Sequence, residues 1–234
     1  MSVRFLAQFP TSSWQITTSG GGVLTLPDDD YYLLNSVIAD PSLLKALNTL
    51  TGFTWAMATD GRVTVNTGAA TATWSDTRLR DALGFTGAGL AAGNSTAATA
   101  SPYRLDLDAA ALEDLEEPEA LVTRYRTDEA QYTDSWGSRD WRRIRLWVTG
   151  HDRVSDADAE YWRARRFWDT ALAPGLVLRY YPDSTVSSAF AIGTAPLGYQ
   201  TYVCDTRTWP LRPVGEGNHN YWRGEILVHP ATEL

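Results

Sequence analysis

Three histidines, one cysteine and a surplus of carboxylates are the side chains from which this 234-residue chain could build a reactive centre. His151, His219 and His229 lie far apart, and none has another histidine or cysteine three or four residues on. Metal ligation depends on such clustering, and the H-E-x-x-H pattern of zinc proteases is absent, so the spacing predicts no metal site. Cys204 stands alone, which excludes an internal disulfide and a cysteine zinc site. With no histidine near it in sequence to act as base, it reads as a buried free thiol. Asp28, Asp29 and Asp30 are consecutive, whereas a calcium loop spaces its ligands as D-x-D-x-D-G; a solvated turn is expected. The glycine-bearing stretches GTGAATATW and SGGGV do not lead into a helix as phosphate cradles do, and G-x-S-x-G is missing. A glycosidase needs only two carboxylates about 5–9 Å apart, a geometry that linear spacing does not encode. The expectation is therefore no catalytic residue, no cofactor and no metal.

Composition narrows the partners. The formal net charge is −8, and phosphate contacts need a basic surface, so no nucleic-acid binding is expected. No stretch approaches the roughly 20 apolar residues of a membrane helix, and MSVRFLAQFP lacks the apolar core of a signal peptide. With 44% hydrophobic and 12% aromatic residues the chain can bury a sizeable core. Its basic residues are nineteen Arg against one Lys, Lys45, beside ten Trp. Arg and Trp concentrate at the energetic centres of protein interfaces, because one forms forked hydrogen bonds and the other a large contact face. A GC-rich coding sequence would also favour Arg over Lys.

The elements that must position these residues fall into two halves. In the first, GGVLTLP and DYYLL read as strands. ADPSLLKALNTLTG reads as a helix with Asp40 as N-cap, Pro41 at its first position and Gly52 beyond its end; Leu43, Leu47 and Leu50 make one stripe. FTWAMATDGRVTVNT is a hairpin turning at Asp60-Gly61, and TATW is a further strand. TWSDTRLRDALGFTG, residues 73–87, holds a helix of barely two turns, capped by Ser75 or Asp76 and stopped by a left-handed Gly84. Leu79 and Leu83 share its apolar face, and Phe85 can fold back on Leu79. Residues 1–86 thus form a small mixed α/β module. Residues 87–118, small and polar and then acidic (six carboxylates and no base over 106–118), read as an extended arm and linker.

Residues 119–234 form the second domain. WRRIRLWVTG at strand spacing puts Trp141, Arg143, Arg145 and Trp147 on one face, and Arg142, Ile144, Leu146 and Val148 on the other. The first face is either covered by a neighbouring strand or presented to a partner. A helix over 155–172 follows, with Ser155 and Asp158 as a capping box and Ala157, Tyr161, Ala164, Trp168 and Leu172 as its buried stripe. Arg163 and Arg166 point elsewhere. LVLRYYPD, AFAIG, YQTYVCD, WPLRPV and YWRGEILVHP read as strands. The fold expected is α+β and mostly β, an antiparallel sheet or sandwich crossed by one long helix.

Two resemblances attach to these patterns. The series DYYLL, SLLKALNTL, FTWAMATDGRVTVNT, TATW and LRDALGFTG, over about residues 23–87, resembles an L-G-F module of tailed-phage virion proteins. The order Arg-rich strand, helix, PG, strand ending YYPD and final W-R-x-E-I-L-V strand, over about 119–230, resembles distal tail and baseplate components. These resemblances imply a non-enzymatic structural protein of a bacteriophage tail tip, made in the host cytoplasm and resident in the virion. They imply a ring, a hexamer, meeting the tail tube and the hub or fibre proteins. The candidate interface is Trp141, Arg143, Arg145, Trp147, Arg163 and Arg166. A receptor- or carbohydrate-binding virion protein and a glycan-degrading tail enzyme are the alternatives.

Overall fold

Glycine stops, side-chain caps and short alternating runs break this chain into many strands and few helices. The computed structural model describes residues 3–33, 42–58, 60–107, 142–149, 160–181, 200–214 and 221–231. Strands β1 (Val3–Ala7), β2 (Phe9–Pro10), β3 (Gln15–Thr18), β4 (Gly22–Thr25) and β5 (Asp30–Tyr31) precede helix α1 (Leu43–Thr51). Strands β6 (Thr54–Met57), β7 (Val63–Asn66) and β8 (Ala72–Trp74) lead to helix α2 (Thr77–Ala82). Next come β9 (Gly89–Leu90), β10 (Asn94–Thr96) and β11 (Arg104–Leu107). The second half supplies β12 (Arg142–Thr149), helix α3 (Glu160–Phe167) and its π-helical continuation (Trp168–Leu172). It ends with β13 (Val177–Tyr181), β14 (Gln200–Cys204), β15 (Arg212–Pro213) and β16 (Tyr221–Pro230). The fold is α+β and mostly β, and every named strand pair is antiparallel.

Residues 9–97 build one core. Helix α1 begins at Ser42, not Asp40, because the Ser42 hydroxyl accepts the Lys45 N–H at 3.3 Å. Asp40 and Pro41 lie outside the described residues, and Gly52 ends the helix at φ 69°. Leu43, Leu44 and Leu47 are buried, with Leu50 partly so. Strands β6 and β7 form the expected hairpin, with Gly61 at φ 81°. In α2, Asp76 is the cap, its carboxylate accepting the Arg78 N–H at 2.8 Å. Gly84 at φ 81° ends it. The Phe85 N–H reaches Arg80 O at 3.1 Å and the Gly84 N–H reaches Asp81 O at 3.0 Å, the paired bonds of a Schellman stop. Phe85 then packs against Trp74, ring centroids 5.3 Å apart, and edge-on to Trp55 at 6.4 Å.

Two boundaries differ from those expected. Strand β1 does not belong to the first module; it lies between β11 and β13 in a seven-stranded sheet, where Phe5 and Ala7 join the second core. Residues 87–107 are not an extended arm. Strand β9 pairs with β8, β10 with β7 and β11 with β1, and Leu90, Ala97 and Ala100 are buried. The small residues there serve close approach: a Cβ on Gly89 would stand 2.4 Å from Ala72 O. Low side-chain bulk in this stretch reflects packing against backbone. The acidic residues beyond Leu107 lie outside the described residues.

The large sheet runs β11-β1-β13-β14-β16-β12, with β15 pairing to β16. Strands β12 and β13, expected on either side of the helix, are separated in the sheet by β14 and β16. Helix α3 covers one face, where Tyr161, Ala164, Phe167 and Trp168 meet Leu146, Val148, Ile226 and Val228. The start expected at Ser155, the capping box and Ala157 lie outside the described residues. The π-helical turn rotates the buried stripe, so Phe167 and Ala171 are buried alongside Trp168 and Leu172. Gly175 at φ 80° ends the segment after Pro174. The first module covers half of the opposite face: Arg179 of β13 lies 4.1 Å from the Tyr32 ring centroid, and a Cβ on Gly61 would sit 3.5 Å from an Asp106 carboxylate oxygen.

Candidate functional site

The other half of that second face, carried by β14, β16 and β12, is where the sequence-based interface falls. Leu146 and Val148 of β12 are buried in the core, and Arg143, Arg145 and Trp147 alternate with them along the strand. Register places Arg143 opposite Leu227, Arg145 opposite Glu225 and Trp147 opposite Arg223. Glu225 and Arg223 are exposed, Leu227 half-buried. Strand β15 adds Arg212 opposite Arg223, and Arg212 is exposed too. Trp141 lies outside the described residues.

Arg163 and Arg166 do not join this patch. They belong to α3, which packs on the opposite face of the sheet, and both are half-buried. Sequence spacing set them apart from the buried stripe of their helix, and both are less buried than Tyr161, Ala164 and Trp168. It held no information on which face of the sheet that helix would occupy. Arg163 and Arg166 therefore do not converge with the β12 positions on one site.

Beside α3 lies an aromatic cluster that spacing did not reveal. Tyr161 contacts Trp162, Trp209 and Trp222 with ring centroids 5.1, 5.8 and 4.7 Å apart. Arg165 stacks over Trp209 at 4.9 Å and pairs with Asp169 at 2.9 Å. The Arg165–Asp169 spacing of four on a helix was the one readable signal. Trp14, Trp55 and Trp168 are buried, and Trp74, Trp162, Trp209 and Trp222 are partly buried. A sugar platform needs an exposed ring face. Among the described tryptophan side chains none is exposed, and these rings fill the two cores and their margins.

Two polar constellations remain. His229 Nδ1 pairs with Asp205 Oδ2 on the outward face, next to Val203. Asp106 is gripped by Arg4 from the neighbouring strand and by Arg104 of its own, the latter at 2.8 Å. Burial alone would raise the Asp106 carboxyl, but the Arg104 and Arg4 guanidiniums together hold it below the usual carboxylate range. Cys204 is buried in the second core, and burial pushes its thiol up to about 11. Among the described residues, no three of His, Cys, Asp or Glu gather as a metal set, and no helix is long and apolar enough to cross a membrane. His151 and His219 lie outside the described residues. No protein family, curated protein or solved structure matches the chain.

Proposed function

We propose that this chain is a structural protein of a bacteriophage tail tip, a distal tail or baseplate component that works through protein contacts. The observation that carries the reading is the outward half-face of the large sheet. There Arg212, Arg223 and Glu225 are exposed, and the β12 register sets Arg145 at the position opposite Glu225 and Trp147 at the position opposite Arg223, while the first module packs on the rest of that face. Arginine with an aromatic on a broad sheet face suits protein recognition: forked donors fix register, and the ring supplies contact area. The order of elements resembling virion components supports the same reading. Copies joined head to tail around an axis use two dissimilar patches, and rings of this resemblance are hexameric. Each junction needs to bury more than roughly 1,000 Å² to persist. Reconstruction of the particle that contains the chain tests this. A ring of copies meeting through the β12–β16 face is expected; a single copy at a fibre tip, or a trimer with aromatics lining a groove, overturns it.

A further inference from the structure

Sheet edges in the first module are closed unequally. The Ala58 N–H donates to Arg62 O at 2.8 Å, and the hairpin register from there turns the backbone of Trp55 away from β7. Asn48 of α1 closes that edge. Its side chain accepts the Trp55 N–H at 2.6 Å and donates to Trp55 O at 3.3 Å, taking the place of a further strand.

Strand β4 has no such cover. It stands at the end of the order β4-β3-β8-β9. The Leu26 N–H donates to Trp14 O at 2.7 Å, and the same register makes Leu24 and Gly22 the residues bonded to β3. The backbone N–H and C=O of Val23 and Thr25 therefore face away from β3, and among the described residues no strand or side chain meets them. Both residues are exposed, and Val23, at 59%, is the most exposed large apolar side chain described. Edges are commonly blunted by a charge, a proline or a bulge, and GVLT carries none of these. Strand β10 also turns backbone groups outward, at Asn94 and Thr96, but its side chains are polar and offer nothing apolar to cover.

We propose that β4 is a docking edge for β4 of a second copy, the two strands running antiparallel about a two-fold axis at Leu24. Val23 then lies opposite Thr25 of the second copy, and Thr25 opposite its Val23. Each pair exchanges both backbone hydrogen bonds and joins two β-branched side chains. Leu24, half-buried at the lip of the first core, meets Leu24 of the second copy in the closer, non-hydrogen-bonded pair. Charge selects the antiparallel sense. Asp28, Asp29 and Asp30 follow β4, and a parallel neighbour would set two such acidic runs side by side. The two-fold axis instead sends each run toward the other copy's glycine tip, where a Cβ on Gly20 or Gly22 would meet nothing within 4 Å. Asp28 and its counterpart then stand about 26 Å apart at the usual strand rise, against a screening length of about 8 Å. A pairing of four-residue strands buries less than the roughly 1,000 Å² of a persistent interface, so the contact is weak in dilute solution and strengthens where copies are held together. It lies within the first module and is independent of the ring reading.

Amide hydrogen exchange followed residue by residue on the full chain tests the pairing without a substitution. The Val23 and Thr25 amides should exchange freely when dilute and become protected as the protein approaches millimolar concentration, while those of Asn94 and Thr96 stay fast. Protection at β10 instead, or a chain that remains monomeric to millimolar concentration in sedimentation, overturns the proposal. Thr25→Pro removes an N–H that faces away from β3, and an edge strand accepts proline at such a position. It should keep the melting temperature and weaken self-association about tenfold or more. Self-association unchanged in folded Thr25→Pro overturns the pairing. Cysteine trapping checks the register: L24C chains should oxidise readily to a covalent dimer, because residues facing each other in a non-hydrogen-bonded pair have Cα atoms about 4.5 Å apart, within disulfide reach. Equal trapping of T96C chains, on the exposed β10, would show collision in place of docking and overturn it.

Discussion

Gly84 and Thr99 meet backbone to backbone. A Cβ on Gly84 would stand 2.1 Å from the Thr99 carbonyl oxygen, and the Thr99 N–H donates to Gly84 O at 3.2 Å. Two residues on, Ser101 Oγ donates to Ala82 O. The short helix α2 is thus a clamp: its C-terminal carbonyl groups receive the segment that leads from β10 into β11.

Gly84→Ala should therefore cost more than its left-handed φ alone, which is worth about 1–3 kcal/mol. The colliding oxygen belongs to backbone and cannot swing aside. Gly52→Ala is the control, since Gly52 has φ 69° but nothing within 4 Å of its would-be Cβ. Thermal melts followed by circular dichroism should show Gly84→Ala lowered well beyond Gly52→Ala. Equal shifts would contradict the clamp.

Features decided within a few residues were legible in the sequence. Gly84, Gly52 and Gly61 announced their turns because only a residue without Cβ holds a left-handed φ cheaply. The pair Ser75-Asp76 announced its helix start for a similarly local reason, and the cap is Asp76. The pairing of β1 with β11, about a hundred residues away, depends on which strands find each other and leaves no local mark. Residues 87–101 misled because small polar composition looks the same whether a segment stays unpacked or approaches backbone closely, as Gly89 approaches Ala72. At the candidate site, alternation on β12 divides its residues between two faces, but the pairing of Arg212 with Arg223 across β15 and β16 is a tertiary fact.

The Asp106 carboxyl is held below the usual range by Arg104 and Arg4 against the opposing effect of burial. A depressed folded value means the unfolded state binds its proton first as acid is added. The stabilisation is complete above about pH 4 and is lost as pH falls through the depressed value. Asp106→Asn should lower stability at neutral pH by about 2 kcal/mol, since Arg104 is left with its charge largely buried. It should also flatten the fall in stability below pH 4. Urea midpoints measured from pH 7 to pH 2 check both; parallel curves for variant and parent would exclude the linkage.

Cys204 offers a report on the second core. Its side chain is fully buried, and burial raises the thiol to about 11. At pH 8 the folded protein should react with a thiol-specific disulfide reagent only through unfolding, at a rate that follows the unfolding equilibrium. Rapid stoichiometric reaction under native conditions would show that the thiol is accessible.

The two cores meet at Tyr103. Its ring stacks on Phe9 with centroids 4.0 Å apart and packs against both hydrophobic clusters, and its carbonyl accepts the Ala7 N–H at 2.9 Å. Ala7 closes β1 in the second core while Phe9 opens the first, so the chain passes between cores within two residues. Such continuity should make the full chain unfold as one unit, even though each core has its own helix and sheets. Tyr103→Ala removes the shared ring but keeps the backbone hydrogen bond. A buried aromatic truncated to alanine costs about 3–5 kcal/mol, and a partly buried one less. The more telling effect is on cooperativity: scanning calorimetry of the parent should give a single transition, and of Tyr103→Ala two resolved ones, with the Trp55 core and the Cys204 core melting apart. Thiol exposure reports the second core independently. If the variant still melts in one transition, with Cys204 released in the same step, Tyr103 is not what couples the cores.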